Sequence, residues 1–176
     1  MKATGVIRRI DDLGRVVIPK EIRKNLRIKN GDNLEIYIGE EDNIILKRYN
    51  HIDKIKDLSE AICYAIATSI KKDVLITNTN NFIASEGSSK KKYKNKQLSE
   101  SMIKFIINRK AILSSHQSQI ELTEGNKEEL YYAISPIIAS SDCIGMIIIT
   151  SETQISEEEF KIIKIASSFL ANYIES

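Results

Sequence analysis

The sequence predicts two small domains of different class: an all-β unit with one short helix over residues 1–51, and an α+β unit over residues 52–176 whose antiparallel sheet is flanked by helices. Three observations predict this division. The first fifty residues hold short strand-like runs separated by turn chemistry, with a single helical stretch among them. Residues 52–70 then carry apolar side chains at helical spacing, and residues 73–151 are strand-rich around a second helical stretch before a last helix.

In chain order, VIRRI, DDLG and RVVIP read as strand, turn and strand. Pro19 suits the first turn of a helix, where a missing N–H costs nothing. KEIRKNLR follows as that helix, with Lys20, Arg23, Lys24 and Arg27 on one stripe and Ile22 and Leu26 on an opposite, buried one. In IKNGD, Gly31 is free to take a positive φ. NLEIYIG alternates Leu34, Ile36 and Ile38 against Glu35 and Tyr37, as a half-buried strand does; EEDN turns the chain and IILKRY is the next strand. Four strands and a short helix in about fifty residues bury too little surface to be stable alone. With no disulfide or metal to help, obligate dimerisation is the physical remedy.

The same stretch is a local basic pole. Lys2, Arg8, Arg9, Arg15, Lys20, Arg23, Lys24, Arg27 and Lys29 stand against only Asp11, Asp12 and Glu21, on a chain whose net charge is +2. Such clustering is the footprint of a polyanion binder. The candidate contact residues are Arg8, Arg9 and Arg15 at the mouths of the DDLG turn, and Lys20, Arg23 and Lys24 on the helix. The competing reading is an ordinary solvated cationic face.

The run RRIDDLGRVVIPKEIR, followed by GDNLEIYI and IILKRY, resembles the N-terminal domain of the AbrB transition-state regulators. Over its whole length the chain resembles a sporulation-linked member of that family. The resemblance implies a swapped-hairpin homodimer that binds duplex DNA through the residues matching Arg8, Arg15, Arg23 and Lys24. It further implies a regulator that acts late, in the developing spore, as activator of some genes and repressor of others. AbrB itself carries arginine where this chain has Lys24. Lysine is a point charge without the bidentate fork, so position 24 suits a phosphate better than a base edge.

Asn50 to Asp53 is a short polar junction, and the helix at 52–70 leaves almost no flexible linker between the domains. Its stripe, including Ile55, Leu58, Ile62 and Ile66, serves either its own core or a bundle with a second subunit. DVLITN and FIASEG form a hairpin, GSSKKKYKNKQ reads as a polar lysine loop, and residues 98–113 read as a helix. QIELTEG, LYYAISPIIAS and CIGMIIITS are strands, with Ser140, Ser141 and Asp142 closing the last hairpin. Ser156 and Glu159 form a capping box for the final helix, whose apolar positions exceed one narrow stripe. This element order resembles a GAF/PAS-like sensor domain over roughly residues 55–176. GAF domains bind cyclic nucleotides, amino acids or tetrapyrroles, and no residue set here selects among them. Ser85, Gly87 and Ser88 are either pocket-lining or loop residues.

At 176 residues, 42% hydrophobic and 28% charged, the chain has material for real cores. No secretory signal pattern or membrane-length apolar run is present, and Cys63 and Cys143 match no metal or redox spacing, so they read as buried thiols in a reducing cytosol. His51 and His116 stand apart from any triad or zinc pattern, and GSSKK lacks the spacing of a phosphate loop. No enzyme activity, cofactor or metal is expected. The expected partners are double-stranded DNA, a second chain through the N-terminal domain, further chains in a homotetramer through the C-terminal helices, and an unidentified small-molecule effector, in a cytoplasmic, nucleoid-associated setting. The alternatives are an antitoxin-like protein with a protein partner, or a ligand-sensing module without direct gene regulation.

Overall fold

The computed structural model describes residues 5–28, 30–31, 33–39, 43–48, 56–88 and 90–175. The chain separates into two compact units, residues 1–49 and 50–176. The junction at 50–53, with His51, and the expected helix start at 52–55 lie outside the described residues.

The first unit holds α1 (Lys20–Asn25) and the antiparallel pair β1 (Leu34–Ile38) and β2 (Ile44–Arg48). VIRRI and RVVIP, read as strands, adopt no strand pairing among the described residues. The turn between them does form, but the ladder does not, because among the described residues no other strand pairs with it. The cost is visible in side-chain exposure: Ile7 is 92% exposed, Ile10 68% and Val17 73%. β1 and β2 repeat the pattern. Their register places Ile36 opposite Leu46 and Ile38 opposite Ile44, so these four side chains share one face of the hairpin. That face was expected to be half-buried; within one chain it is exposed. Helix α1 ends at Asn25 rather than Arg27, which takes a left-handed φ of 54°. Pro19 occupies the N-cap rather than the first turn, and the expected buried stripe is absent: Leu26 is exposed and Ile22 half-buried.

In the second unit α2 (Lys56–Ile70), β3 (Asp73–Asn78), β4 (Phe82–Glu86), α3 (Lys90–Tyr93), α4 (Glu100–Asn108), β5 (Ile112–Leu113), β6 (Ser118–Thr123), β7 (Asn126–Ala139), β8 (Asp142–Ser151) and α5 (Glu157–Glu175) follow in order. The sheet runs β4-β3-β8-β7-β5, with β6 also on β7, and every pairing is antiparallel. Its central strands are apolar on both faces because helices cover both. Val74, Ile76, Ile147, Ile149 and Ala133 pack under α2 and α5 with Cys63, Ile163 and Leu170. Their neighbours Leu75, Met146, Ile148 and Ile134 pack on the opposite face with Phe82, Tyr93, Leu98, Met102 and Ile120. Alternation along the central strands, interrupted by register shifts at Ile76/Thr77 and Ile137/Ile138, thus splits one sheet into two cores. Pro136 lies on β7 beyond the two residues that β5 pairs, where its missing N–H disturbs no second neighbour.

Two expectations for this unit need correction. Residues 98–113 are not one helix. Ser99 caps α4 by accepting from Met102 N at 3.1 Å, and the left-handed Arg109 ends it, which frees Ile112 and Leu113 to join the sheet. The lysine segment is not merely a loop either: it contains the turn of helix α3 and carries Tyr93 into the core at 1% exposure. The last hairpin closes as expected through Ser140 and Ser141, both at positive φ, as a two-residue turn matching strand twist requires. The capping box forms too, with Ser156 N donating to Glu159 Oε2 at 2.7 Å and Glu159 N to Ser156 Oγ at 3.2 Å. Among the described residues no helix is long and apolar enough to cross a membrane.

Candidate nucleic-acid interface

The six candidate contact residues all fall in the first unit, on the 11–15 turn with its flanks and on α1. The turn is built around one side chain. Asp11 Oδ1 accepts from Leu13 N at 3.1 Å and from Arg15 N at 2.8 Å, which makes the loop fold back on itself. Gly14, at φ +75°, supplies the left-handed residue and donates to Asp11 O at 2.9 Å. Asp11 N closes the loop on Arg15 O at 3.1 Å. The second carboxylate oxygen, Oδ2, accepts from Arg15 Nε at 2.8 Å. The Arg15 backbone N–H, then the Arg15 guanidinium, hold the Asp11 carboxyl below its usual range.

Arg8 and Arg9 flank the turn, exposed, with no hydrogen bond or ion pair to another described residue. On α1, Lys20 and Lys24 are exposed, and Arg23 is half-buried. Arg23 Nη1 donates to Asn30 Oδ1 at 2.9 Å, while its Nε is shut from solvent without an acceptor among the described residues. Arg23 and Lys24 lie in the last turn of α1, where the helix dipole favours positive charge. Among the described residues, two of the six cations are therefore oriented by neighbours and four are not. Asp11 and Asn30, which do the orienting, were not among the sequence candidates. The signal for Asp11 was present in D-x-x-G-R, an Asx-turn residue four before an arginine.

In the second unit, Ser85 is buried on β4 opposite Leu75, and Gly87 and Ser88 belong to a structural clasp. Ser88 N and Oγ each donate to Asp73 at 2.7 Å. A cleft of about 240 Å³ opens elsewhere, between α4 and β6, with Met102, Phe105, Ile120 and Tyr132 as apolar walls and Gln119, Glu121 and Lys127 as polar ones. Among the described residues no cluster of three or more His, Cys, Asp or Glu side chains is placed to hold a metal.

Residues 54–175 match the family model described as stage V sporulation protein T C-terminal, transcription factor, and residues 7–54 match that of antidote-toxin recognition MazE, bacterial antitoxin. Over 177 aligned residues the chain is 43% identical to stage V sporulation protein T of Bacillus subtilis, covering 99% of each. The chain belongs to the stage V sporulation protein T family. Members of that family are transcription factors, and the sporulation assignment follows from the full-length match. The first unit of this family member is also 57% identical over 49 residues to the transition state regulatory protein AbrB of the same organism, covering 28% of this chain and half of that protein. The second unit has a GAF fold. It superposes on the GAF domain of an Acinetobacter phosphoenolpyruvate-protein phosphotransferase with a TM-score of 0.54 at 12% identity, covering 69% of this chain and 82% of that one. A free methionine-R-sulfoxide reductase from Thermoplasma acidophilum gives 0.54 at 12% identity over 72% and 96%. At such identity the likeness is one of fold alone.

Proposed function

We propose that this stage V sporulation protein T family member binds double-stranded DNA with sequence preference, as a homodimer through its first unit, and so activates some sporulation genes and represses others. The observation that carries this reading is the 11–15 turn, where an arginine is held by a carboxylate on an exposed loop flanked by the exposed Arg8 and Arg9. Arg8, Arg9, Arg15, Lys20, Arg23 and Lys24 are the contact residues. Phosphate neutralisation gives affinity, while arginine forks and DNA shape give preference. The exposed apolar side chains of the 5–18 segment and of the β1–β2 face support a swapped hairpin, in which a second chain provides the missing strand partners and buries both surfaces. On this reading residues 1–51 are the DNA-binding domain and residues 52–176 the GAF-like sensor and oligomerisation domain. The protein works in the cytoplasm, on the nucleoid, without catalysis. An effector, where one acts, has the α4–β6 cleft available to it.

The test is anisotropy binding to AT-rich duplex DNA over a salt series. With Arg8, Arg15, Arg23 and Lys24 of two chains on phosphates, log K falls against log salt with a slope of roughly −7. Arg15→Ala and Arg23→Ala should each weaken binding about 5- to 100-fold while the dimer stays folded. Unchanged affinity in both variants contradicts the reading. The MazE-type match supports a second reading, in which the first unit neutralises a protein partner. Its mark is a stoichiometric protein that co-purifies and blocks DNA binding.

A further inference from the structure

We propose that Asp11 is a positioning residue that decides which face of the Arg15 guanidinium meets DNA; the proposal rests on the DNA-binding reading above. A guanidinium can offer an acceptor pair either a side-on fork, from Nε–H and one terminal nitrogen, or an end-on fork, from the two terminal nitrogens. Asp11 Oδ2 takes the Nε–H at 2.8 Å, so the side-on fork is closed and the end-on fork is the one left to present. The end-on pair fits the O6/N7 edge of guanine or two oxygens of a phosphate.

The carboxylate is tied at both ends, and this makes it a rigid reference. Its other oxygen is bonded to two backbone N–H groups of the same turn, and its own backbone N–H and C=O are bonded to Arg15 and Gly14. A side chain fixed to the loop that carries its arginine cannot drift independently of it. The pair is exposed, with Arg15 at 72% and Asp11 at 43% of side-chain surface, so it contributes little to folding. A negative charge beside a polyanion-binding arginine also opposes affinity. Its place there is explained by orientation, which trades general attraction for discrimination.

Asp11→Asn separates the two roles of this side chain. The amide oxygen can still accept from Leu13 and Arg15 N–H and keep the turn, but the amide nitrogen cannot accept from Nε. The full-length protein is titrated with a duplex enriched from a random library by the wild type, and with a scrambled duplex of equal composition. The variant should bind the scrambled duplex as tightly as the wild type or tighter, having lost one negative charge per chain. Its preference for the enriched duplex should fall about tenfold. The salt slope should stay the same, because Arg15 keeps its charge. In an Arg15→Lys background, where no Nε–H fork exists, Asp11→Asn should leave the residual preference unchanged. A variant that discriminates as well as the wild type overturns this proposal alone. So does one whose salt slope drops, since Arg15 has then been lost and not merely turned. A wild type with no preference between duplexes overturns both this proposal and the DNA reading.

Discussion

Tyr93 shows how much a single residue can decide in a stretch that composition describes as polar. Its ring packs against Phe82 with centroids 5.4 Å apart, and its hydroxyl donates to Glu128 Oε1. Asn126 Nδ2 donates to the same hydroxyl at 3.1 Å and to Glu128 at 2.6 Å, and Lys92 Nζ donates to Glu128 as well. Burial raises the Glu128 carboxyl, but the bonds from Lys92, Tyr93 and Asn126 outweigh it and hold the group below its ordinary range. Burial first, then Glu128, pushes the Tyr93 phenol up to about 12. A depressed carboxyl stabilises the fold above its unfolded value and loses that contribution as pH falls through the folded one. Glu128→Gln, which weakens the acceptor for a buried hydroxyl, should cost about 1–3 kcal/mol at neutral pH. The urea-midpoint gap to the wild type should narrow below the ordinary carboxylate value of 4.5. A gap independent of pH would show that Glu128 acts by packing and not by charge. Ion pairs account for the lysine run as well. Lys90 pairs with Glu86, Lys92 with Glu128 and Lys94 with Glu60, so three of these cations are committed within the unit. The sequence shows the run but not its partners, which lie up to 36 positions away.

At the scale of elements, legibility follows the range of the interaction that makes each element. The capping box of α5, the Ser140–Ser141 turn and the continuous apolar runs of β3, β7 and β8 are all local patterns, and the sequence displays them. The clasp between β3 and β4 is not local. Asp73 lies fifteen positions from Ser88, whose N–H and Oγ it accepts, and Gly87 between them has φ +100°. A Cβ at Gly87 would sit 2.2 Å from Asp73 Oδ1. Gly87→Ala should therefore break the clasp and strain the backbone, at a cost of about 2–4 kcal/mol. It should be read as a lowered urea midpoint together with faster amide exchange in β4. A variant within about 0.5 kcal/mol of the wild type would mean the loop repacks freely. The first fifty residues fail in the opposite sense. VIRRI and RVVIP have strand patterns without strand pairing among the described residues, because the pattern records burial and no described residue of the first unit supplies the burying surface. What makes those residues read as strands is the property that leaves Ile7, Ile10 and Val17 exposed here.

For the whole molecule, exposed apolar surface is the quantity that calls for more chains, and it occurs in both units. In the first it lies on the turn-flanking segment and the β1–β2 face. In the second it lies on α5, where Ile163, Leu170 and Ala171 face the sheet while Ile162, Ile165, Phe169 and Tyr173 face out, at i, i+3, i+7 and i+11. That spacing is a second helical stripe rather than scattered exposure. Two surfaces on two separate units permit two contacts; a chain that made them with different partners would assemble into a tetramer with two DNA-binding dimers, and one that made both with the same partner would stay a dimer. If different partners are used, the wild type should scatter as four 20.0 kDa chains, and Ile165→Glu with Phe169→Glu should reduce it to two with little loss of thermal stability, because neither side chain belongs to the buried core. Joining two DNA-binding dimers raises the effective concentration of the second once the first is bound. Affinity for a duplex carrying one site should accordingly be unchanged in the double variant. On a duplex carrying two sites at a span the tetramer can bridge, the variant should lose about 100-fold. A double variant that keeps the four-chain mass would place the second contact elsewhere than α5. One that falls to single chains would mean that the first unit does not dimerise by itself and that the swapped hairpin depends on the GAF-like domain for its partner.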